Sequence, residues 1–262
     1  MIDETRRDGN ISFFIFFHNN IEAYEGETSF MYLYIFFIYS FIGWFYESTI
    51  CSIVTNKKLI NRGFLHGPAC PIYGIGAVTN WILFSDVENL FALFFASAFV
   101  SGFIEYVVSV LLEEIFNARW WNYSNFKFNL NGRVCLYGII LFGTANTCMV
   151  LYFTPKLLTY YNTYQCIFDY ITTILFMVLL IDLFITLNNW LVLTERLEEI
   201  KTAIKNKELQ LPKLKIPRKE LRILKAFPKL KFINNDDNSI LDKIRKINLD
   251  EIKNKKNKKE TH

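Results

Sequence analysis

Four stretches of this chain, Phe30 to Val54, Leu90 to Leu112, Val134 to Phe153 and Ile167 to Leu193, are apolar runs long enough to cross a membrane. A hydrocarbon core is about 30 Å thick and takes about 20 apolar residues in a helix. A fifth stretch, Phe64 to Phe84, reaches that length only if its glycines and prolines are counted in. A chain that is 52% hydrophobic and 17% aromatic is too apolar for an ordinary soluble domain. The expected fold is all-α: a polytopic membrane helix bundle of about five transmembrane helices, with a basic cytoplasmic C-terminal tail.

The placing of Lys and Arg orients the bundle. With five spans and the N-terminus outside, the inner segments hold twenty-six of the 29 basic residues and the outer segments three. This is the asymmetry that the positive-inside rule describes. If Phe64 to Phe84 dipped in and returned, the tail and its twenty basic residues would lie outside, so the segment is expected to cross. The reading is a multi-pass cell-membrane protein: residues 1–29 an extracytoplasmic segment, 30–193 the bundle, 194–262 a basic cytoplasmic tail, partly helical and partly disordered. The opening "MIDETRRDGN" is not expected to act as a secretory signal, since acids outnumber bases and no small-residue cleavage site follows.

The entry to the second span, "NRGFLHGPACPIYGIG" (Asn61 to Gly76), is unusual for a membrane segment. Gly and Pro free backbone groups that neighbouring helices, water or a ligand must satisfy. One reading is a tight loop followed by a helix with Pro71 in its first turn. The other is an interrupted helix of the kind that transporters use around a substrate. In that reading Arg62 and His66 belong to a cytoplasmic lid.

The other spans carry small and polar stripes: Ser40, Gly43, Glu47 and Cys51 in the first, Ser101, Glu105 and Ser109 in the third, Asp182, Thr186 and Asn189 in the fifth. The second adds Tyr73, Ala77 and Asn80. Such faces turn toward other helices, because small residues allow close approach and polar ones are costly in lipid. Glu47, Glu105, Asp182 and Asn80 are therefore candidates for one polar cavity facing the cytoplasm. No Lys or Arg lies inside a span to pair with the acids. They are either protonated ties between helices or functional groups met by a basic loop, with Arg62, Arg119 and Arg133 available from the loops.

Trp120, Trp121 and Tyr123 suit the headgroup interface as anchors, and Arg119 and Arg133 beside them could hold an anionic group. Cys51, Cys70, Cys135, Cys148 and Cys166 show neither paired spacing nor a zinc pattern, and no catalytic pattern surrounds His66. No metal, cofactor or enzymatic activity is expected. In the tail, Leu193, Leu197, Ile200 and Ile204 continue a helical stripe beyond the fifth span. "LPKLKIPRKELRILKAFPKLKF" (Leu211 to Phe232) reads as a segment lying on the anionic inner leaflet, and Ser239 to Ile252 as a short amphipathic helix. No nucleic-acid-binding module is recognisable, so nucleic acid is not an expected partner.

Three blocks carry a family resemblance: "YSFIGWFYES" (Tyr39 to Ser48), "NRGFLHGPACPIYGIG" and "ARWWNYSNFKFNLNGRVCL" (Ala118 to Leu136). With the order of the spans, they resemble the ABC-transporter type IV family, the CmpB-like bacterial membrane proteins often labelled ABC transporter permeases. The resemblance covers about Phe30 to Phe153 and implies an integral membrane protein acting as a transporter subunit. The chain has no Walker A motif and no EAA-type coupling segment. A permease role thus requires a separate ATPase subunit, and five spans imply a homo-oligomer or a mixed complex. The alternative is a membrane scaffold or regulator whose basic tail engages anionic lipids or a soluble partner.

Overall fold

The computed structural model describes residues 28–53, 59–205, 221–233, 238 and 241–242. The N-terminal segment, most of the proposed helix from Ser239 to Ile252 and the Lys-rich end lie outside the described residues. The first helix, α1 (Thr28–Tyr46), runs on through a π-helical turn, Glu47–Cys51. After α2 (Pro71–Phe84) come α3 (Leu90–Phe116) and α4 (Leu136–Cys148), which continues through a second π turn (Met149–Phe153) into α5 (Thr154–Thr163). The long α6 (Gln165–Lys205) and the short α7 (Leu221–Ala226) complete the helices. Two-residue strands form two ribbons: β1 (Ala118–Arg119) with β4 (Lys231–Phe232), and β2 (Asn129–Leu130) with β3 (Val134–Cys135).

Four helices are long and apolar enough to cross a membrane: Ser29–Cys51, Leu90–Phe116, Leu136–Thr163 and Gln165–Ile200. The protein is a multi-pass membrane helix bundle. The expected fifth span is shorter as a helix. Fourteen residues of α2 cover about 21 Å, less than the hydrocarbon thickness. The irregular stretch before it, residues 59–70, continues along α1 within the bundle. Both readings of the Gly/Pro segment are thus partly present, since Pro71 does open α2 and the chain before it is unwound inside the bundle.

The packing shows that this segment runs from one end of the bundle to the other. At one end, Ile35, Ala77, Leu93, Met149 and Val150 are buried together, with Met31, Trp81, Phe84 and Val87 against them. At the other, Trp120, Trp190, Leu193, Leu197, Ile223, Leu230 and Phe232 form a second core with Phe64 and Phe116. The segments before α2 and after α3, and the tail, all meet at this second end. Between the ends α1 packs against α2 and α6, and α3 against α4. Close approach rests on small residues: a Cβ added at Gly143 would come 2.6 Å from the Ala98 Cβ. Toward the outside, α6 shows lipid-type side chains such as Tyr170 and Phe184.

Residues 211–220 of the expected lipid-surface segment lie outside the described residues, and residues 221–232 differ from that reading. Instead of lying on a lipid surface, Ile223, Leu224, Leu230 and Phe232 are buried against Leu193, Leu197 and Ile200 of α6. The reason is that α6, 41 residues and about 60 Å long, outruns the bilayer. Its apolar stripe would otherwise meet water, and the tail covers it.

The contact of α1 with α2 is tight at Gly43, where an added Cβ would clash with Tyr73 Cγ. Gly43→Ala is expected to lower stability in detergent by about 1–3 kcal/mol, the usual cost of overpacking. Gly76→Ala, with no neighbouring atom within 4 Å of the new carbon, serves as the neutral control. Thermal unfolding of the two variants side by side checks this.

Candidate functional site

Residues 59–70 descend along α1. The Ile60 N–H donates to Ser52 Oγ (3.0 Å), the Arg62 N–H to Ser48 Oγ (3.2 Å) and the Cys70 N–H to the Ser40 carbonyl (2.9 Å). Ser52 to Ser40 is about 18 Å of helix, so the unwound backbone occupies the half of the bundle nearer the tail. Its other polar groups are met by side chains. Asn61 Oδ1 accepts from Trp44 Nε1 and from the Gly63 N–H, while Asn61 Nδ2 donates to the His66 carbonyl, all at 2.9 Å. Asp182 on α6 accepts the His66 N–H (2.9 Å) and the Gly67 N–H (2.6 Å). From the tail, Arg222 donates to the carbonyls of Gly63, Phe64 and Leu65 at 3.1, 2.5 and 2.9 Å. Burial pulls the Arg222 guanidinium below its ordinary range, and the Asp182 charge opposes that shift.

This descent carries charge into the bundle. Arg62 Nε stands 3.4 Å from Glu47 Oε2, and the Tyr73 hydroxyl donates to Glu47 Oε1 at 2.9 Å. Glu47 opens the π turn in α1, a local widening often found at functional sites. The segment between α3 and α4 folds inward as well. Asn131 and Gly132 both have positive φ, 53° and 68°, and the Arg133 N–H returns to the Leu130 carbonyl, making the tight turn of the β2–β3 hairpin. Tyr123 reaches the Glu105 carboxyl on α3. Burial drives its phenol well above the ordinary range, and the Glu105 and Glu47 carboxyls push the same way. Glu47, Arg62, Tyr73, Tyr123 and Glu105 therefore share one compartment in that half of the bundle.

The other named residues lie elsewhere. Asp182 does not join the two glutamates; it anchors the unwound segment together with Thr186 and Asn189, which stand 2.9 and 3.2 Å from the ring nitrogens of His66. Asn80 is fully buried nearer the opposite end, in a seam with Ser101 and Asn146, where Asn146 Nδ2 donates to Ser101 Oγ at 2.9 Å. The single cavity of four polar residues is thus three separate clusters, because Asp182 and Asn80 are taken up by other partners. Arg119 and Arg133 both pair with Glu113, at 3.0 and 2.8 Å, rather than standing ready for an anion.

The interface anchors also need correction. Trp120 is 3% exposed, with the Phe64, Phe116, Trp190 and Phe227 rings around it. Trp121 is half-buried and donates to the Arg133 carbonyl (2.9 Å), and Tyr123 points inward. The Glu113 pairs turn this segment over the helix ends and the tail covers it, which removes these rings from lipid. The apolar side chains it does expose are Phe126, Phe128 and Leu130.

Several groups that build the site went unnamed in the sequence: Ser48, Ser52, Asn61, Glu113 and Arg222. Glu113 was legible as an acid one to two turns from Ser109 at the end of α3. Arg222 was one of many basic residues in the tail, with nothing to single it out. Among the described residues no group of three His, Cys, Asp or Glu could hold a metal ion.

An unwound crossing, two inward-folded segments and ionisable side chains inside a helical bundle define a polytopic membrane protein with a built polar interior. The family model described as "Putative ABC-transporter type IV" matches residues 34–187, and the chain belongs to that family. The match takes in α1 to most of α6 and leaves out the tail. No curated protein and no solved structure matches the chain.

Arg222 ties the tail to the unwound segment through three carbonyls. Arg222→Ala leaves those carbonyls unpaired and is expected to cost about 1.5–3 kcal/mol. Hydrogen exchange should rise at residues 59–70 and 221–233 together. Arg222→Lys should restore little of this, since a single ammonium lacks the planar fork that spans several acceptors.

Proposed function

We propose that this chain is the membrane subunit of an ABC-type transporter, with a polar interior open to the cytoplasm and a separate ATPase as partner. The observation that carries the reading is the unwound segment, residues 59–70, which brings Arg62 and Tyr73 to Glu47 at the depth of Glu105. Interrupted crossings of this type are how transporters place polar groups beside a substrate. The family's description supports the same class. The distribution of Lys and Arg supports an N-terminus outside, with both inward-folded segments and the tail at the anionic inner leaflet.

A second reading, a membrane regulator or scaffold, is favoured by the tail packed onto α6 and tied by Arg222. Mild detergent extraction and identification of co-purifying proteins separates the two. A bound ATPase is the expected outcome. A reproducible partner of another class, with no ATPase, favours the scaffold. Glu47→Gln and Glu105→Gln test the interior: both should insert and fold but fail to complement a deletion of the protein, and full complementation by both would remove the role given to that compartment.

Orientation has its own test. Cys166 is exposed at one end of the bundle and Phe128 at the other. Single-cysteine proteins retaining Cys166, or carrying Phe128→Cys, should react with an impermeant thiol reagent from opposite sides, Cys166 in intact cells and the Phe128→Cys protein only after permeabilisation.

A further inference from the structure

Glu105 has the least accounted-for charge in the described structure. It is 6% exposed, and its Oε2 has no hydrogen-bond partner among the described residues. No Lys, Arg or His among the described residues forms an ion pair with it. Next to Oε2 lies Gly138 of α4, where an added Cβ would be 3.8 Å from that oxygen and 3.6 Å from Cys135 Sγ. The hydroxyls one turn away on α3 are already engaged, Ser101 by Asn146 and Ser109 by Arg133. Arg133, which donates to Ser109 one turn from Glu105, is held by Glu113 at 2.8 Å and lies over the Tyr106 ring. What does face Glu105 is the Tyr123 phenol and, across the compartment, the Glu47 carboxylate with Tyr73 on it.

An ionised carboxylate buried without a counter-charge costs several kcal/mol, and a second carboxylate in the same compartment adds to that cost. The two glutamates are not equivalent. Glu47 has the Arg62 guanidinium, a donated Tyr73 hydroxyl and a side chain 27% exposed. Glu105 has none of these. The negative charge therefore belongs on Glu47 and a proton on Glu105.

We propose that Glu105 is a proton-binding site of the bundle, filled from the side of the unwound segment past the Tyr123 phenol, with Glu47 as the charged neighbour that holds the proton there. In the binding step one proton from water adds to the Glu105 carboxylate, giving the neutral acid, and release is the reverse. Tyr123 keeps its phenolic O–H throughout, passing one proton forward as it receives another. The proposal rests on the transport reading for its purpose, since the proton sets the charge that a substrate would meet in the interior. The proton itself is measured without that reading.

The experiment is infrared spectroscopy of the purified full-length protein, following the C=O stretch of protonated carboxyls separately from the carboxylate bands. Wild type should show a protonated-carboxyl band that is lost in Glu105→Gln and that in Glu47→Gln persists but disappears at lower pH than in wild type, because the neighbouring charge that helps hold the proton is gone. Should Glu105→Gln fail to fold, Glu105→Asp should move the band in frequency instead. A band unchanged in both Glu105 variants, absent from wild type, or lost in Glu47→Gln rather than in Glu105→Gln, overturns the proposal. Failure to find an ATPase partner would sink the transport reading and leave this band in place.

Discussion

Backbone N–H and C=O groups buried away from water must find partners, and the unwound stretch before α2 has no helical ones to use. The partners come from three directions: Ser48 and Ser52 at the end of the first helix, Asp182 of α6 and Arg222 of the tail. This requirement explains much of the sequence around it. Ser48 and Ser52 are not merely small residues on a helix face, since each takes a specific N–H. Asp182 looks like an isolated acid in a long apolar helix, yet it accepts two consecutive backbone donors. Each is a polar group in an apolar span whose cost is met by another that would otherwise be unpaired.

Once the backbone is held in this way, it acts as a carrier of side chains. A regular helix through the same depth would present one narrow face to α1. The extended stretch instead delivers Arg62 from above and hands over to α2 so that Tyr73, seated on Gly43, meets the same carboxylate. The segment between α3 and α4 does the corresponding job for Glu105 by bringing in Tyr123. Two acids of similar depth thus acquire different environments, one paired and partly exposed, the other buried with a phenol. That asymmetry gives the compartment chemical direction.

The tail completes its end of the bundle in an unexpected manner. A helix as long as α6 must leave the membrane, and its apolar stripe then has to be covered by protein. Ile223, Leu224, Leu230 and Phe232 supply the cover, and the β1–β4 ribbon fixes the register of the tail against the segment after α3. The same contacts bury Trp120, whose indole would otherwise be well suited to a lipid headgroup region. Charge alone suggested a segment held by lipid, because basic and apolar residues alternate there whether the apolar ones face a bilayer or a helix.

Hydropathy and charge count, both local properties, were enough to settle the membrane bundle, its apolar spans and the end at which the basic segments gather. The stripe Ser40, Gly43 and Glu47 likewise marked a helix contact, since 3.6-residue periodicity places such residues on one face without reference to the rest of the chain. The tertiary structure alone decided the partners. Glu47 with Arg62 and Tyr73, Asp182 with the backbone of residues 66 and 67, and Arg222 with three carbonyls across more than 150 positions of sequence are meetings between distant parts of the chain. Polar groups in hydrocarbon pair with whichever complementary group the packing brings within reach, and that choice depends on the helix arrangement rather than on any local pattern of residues.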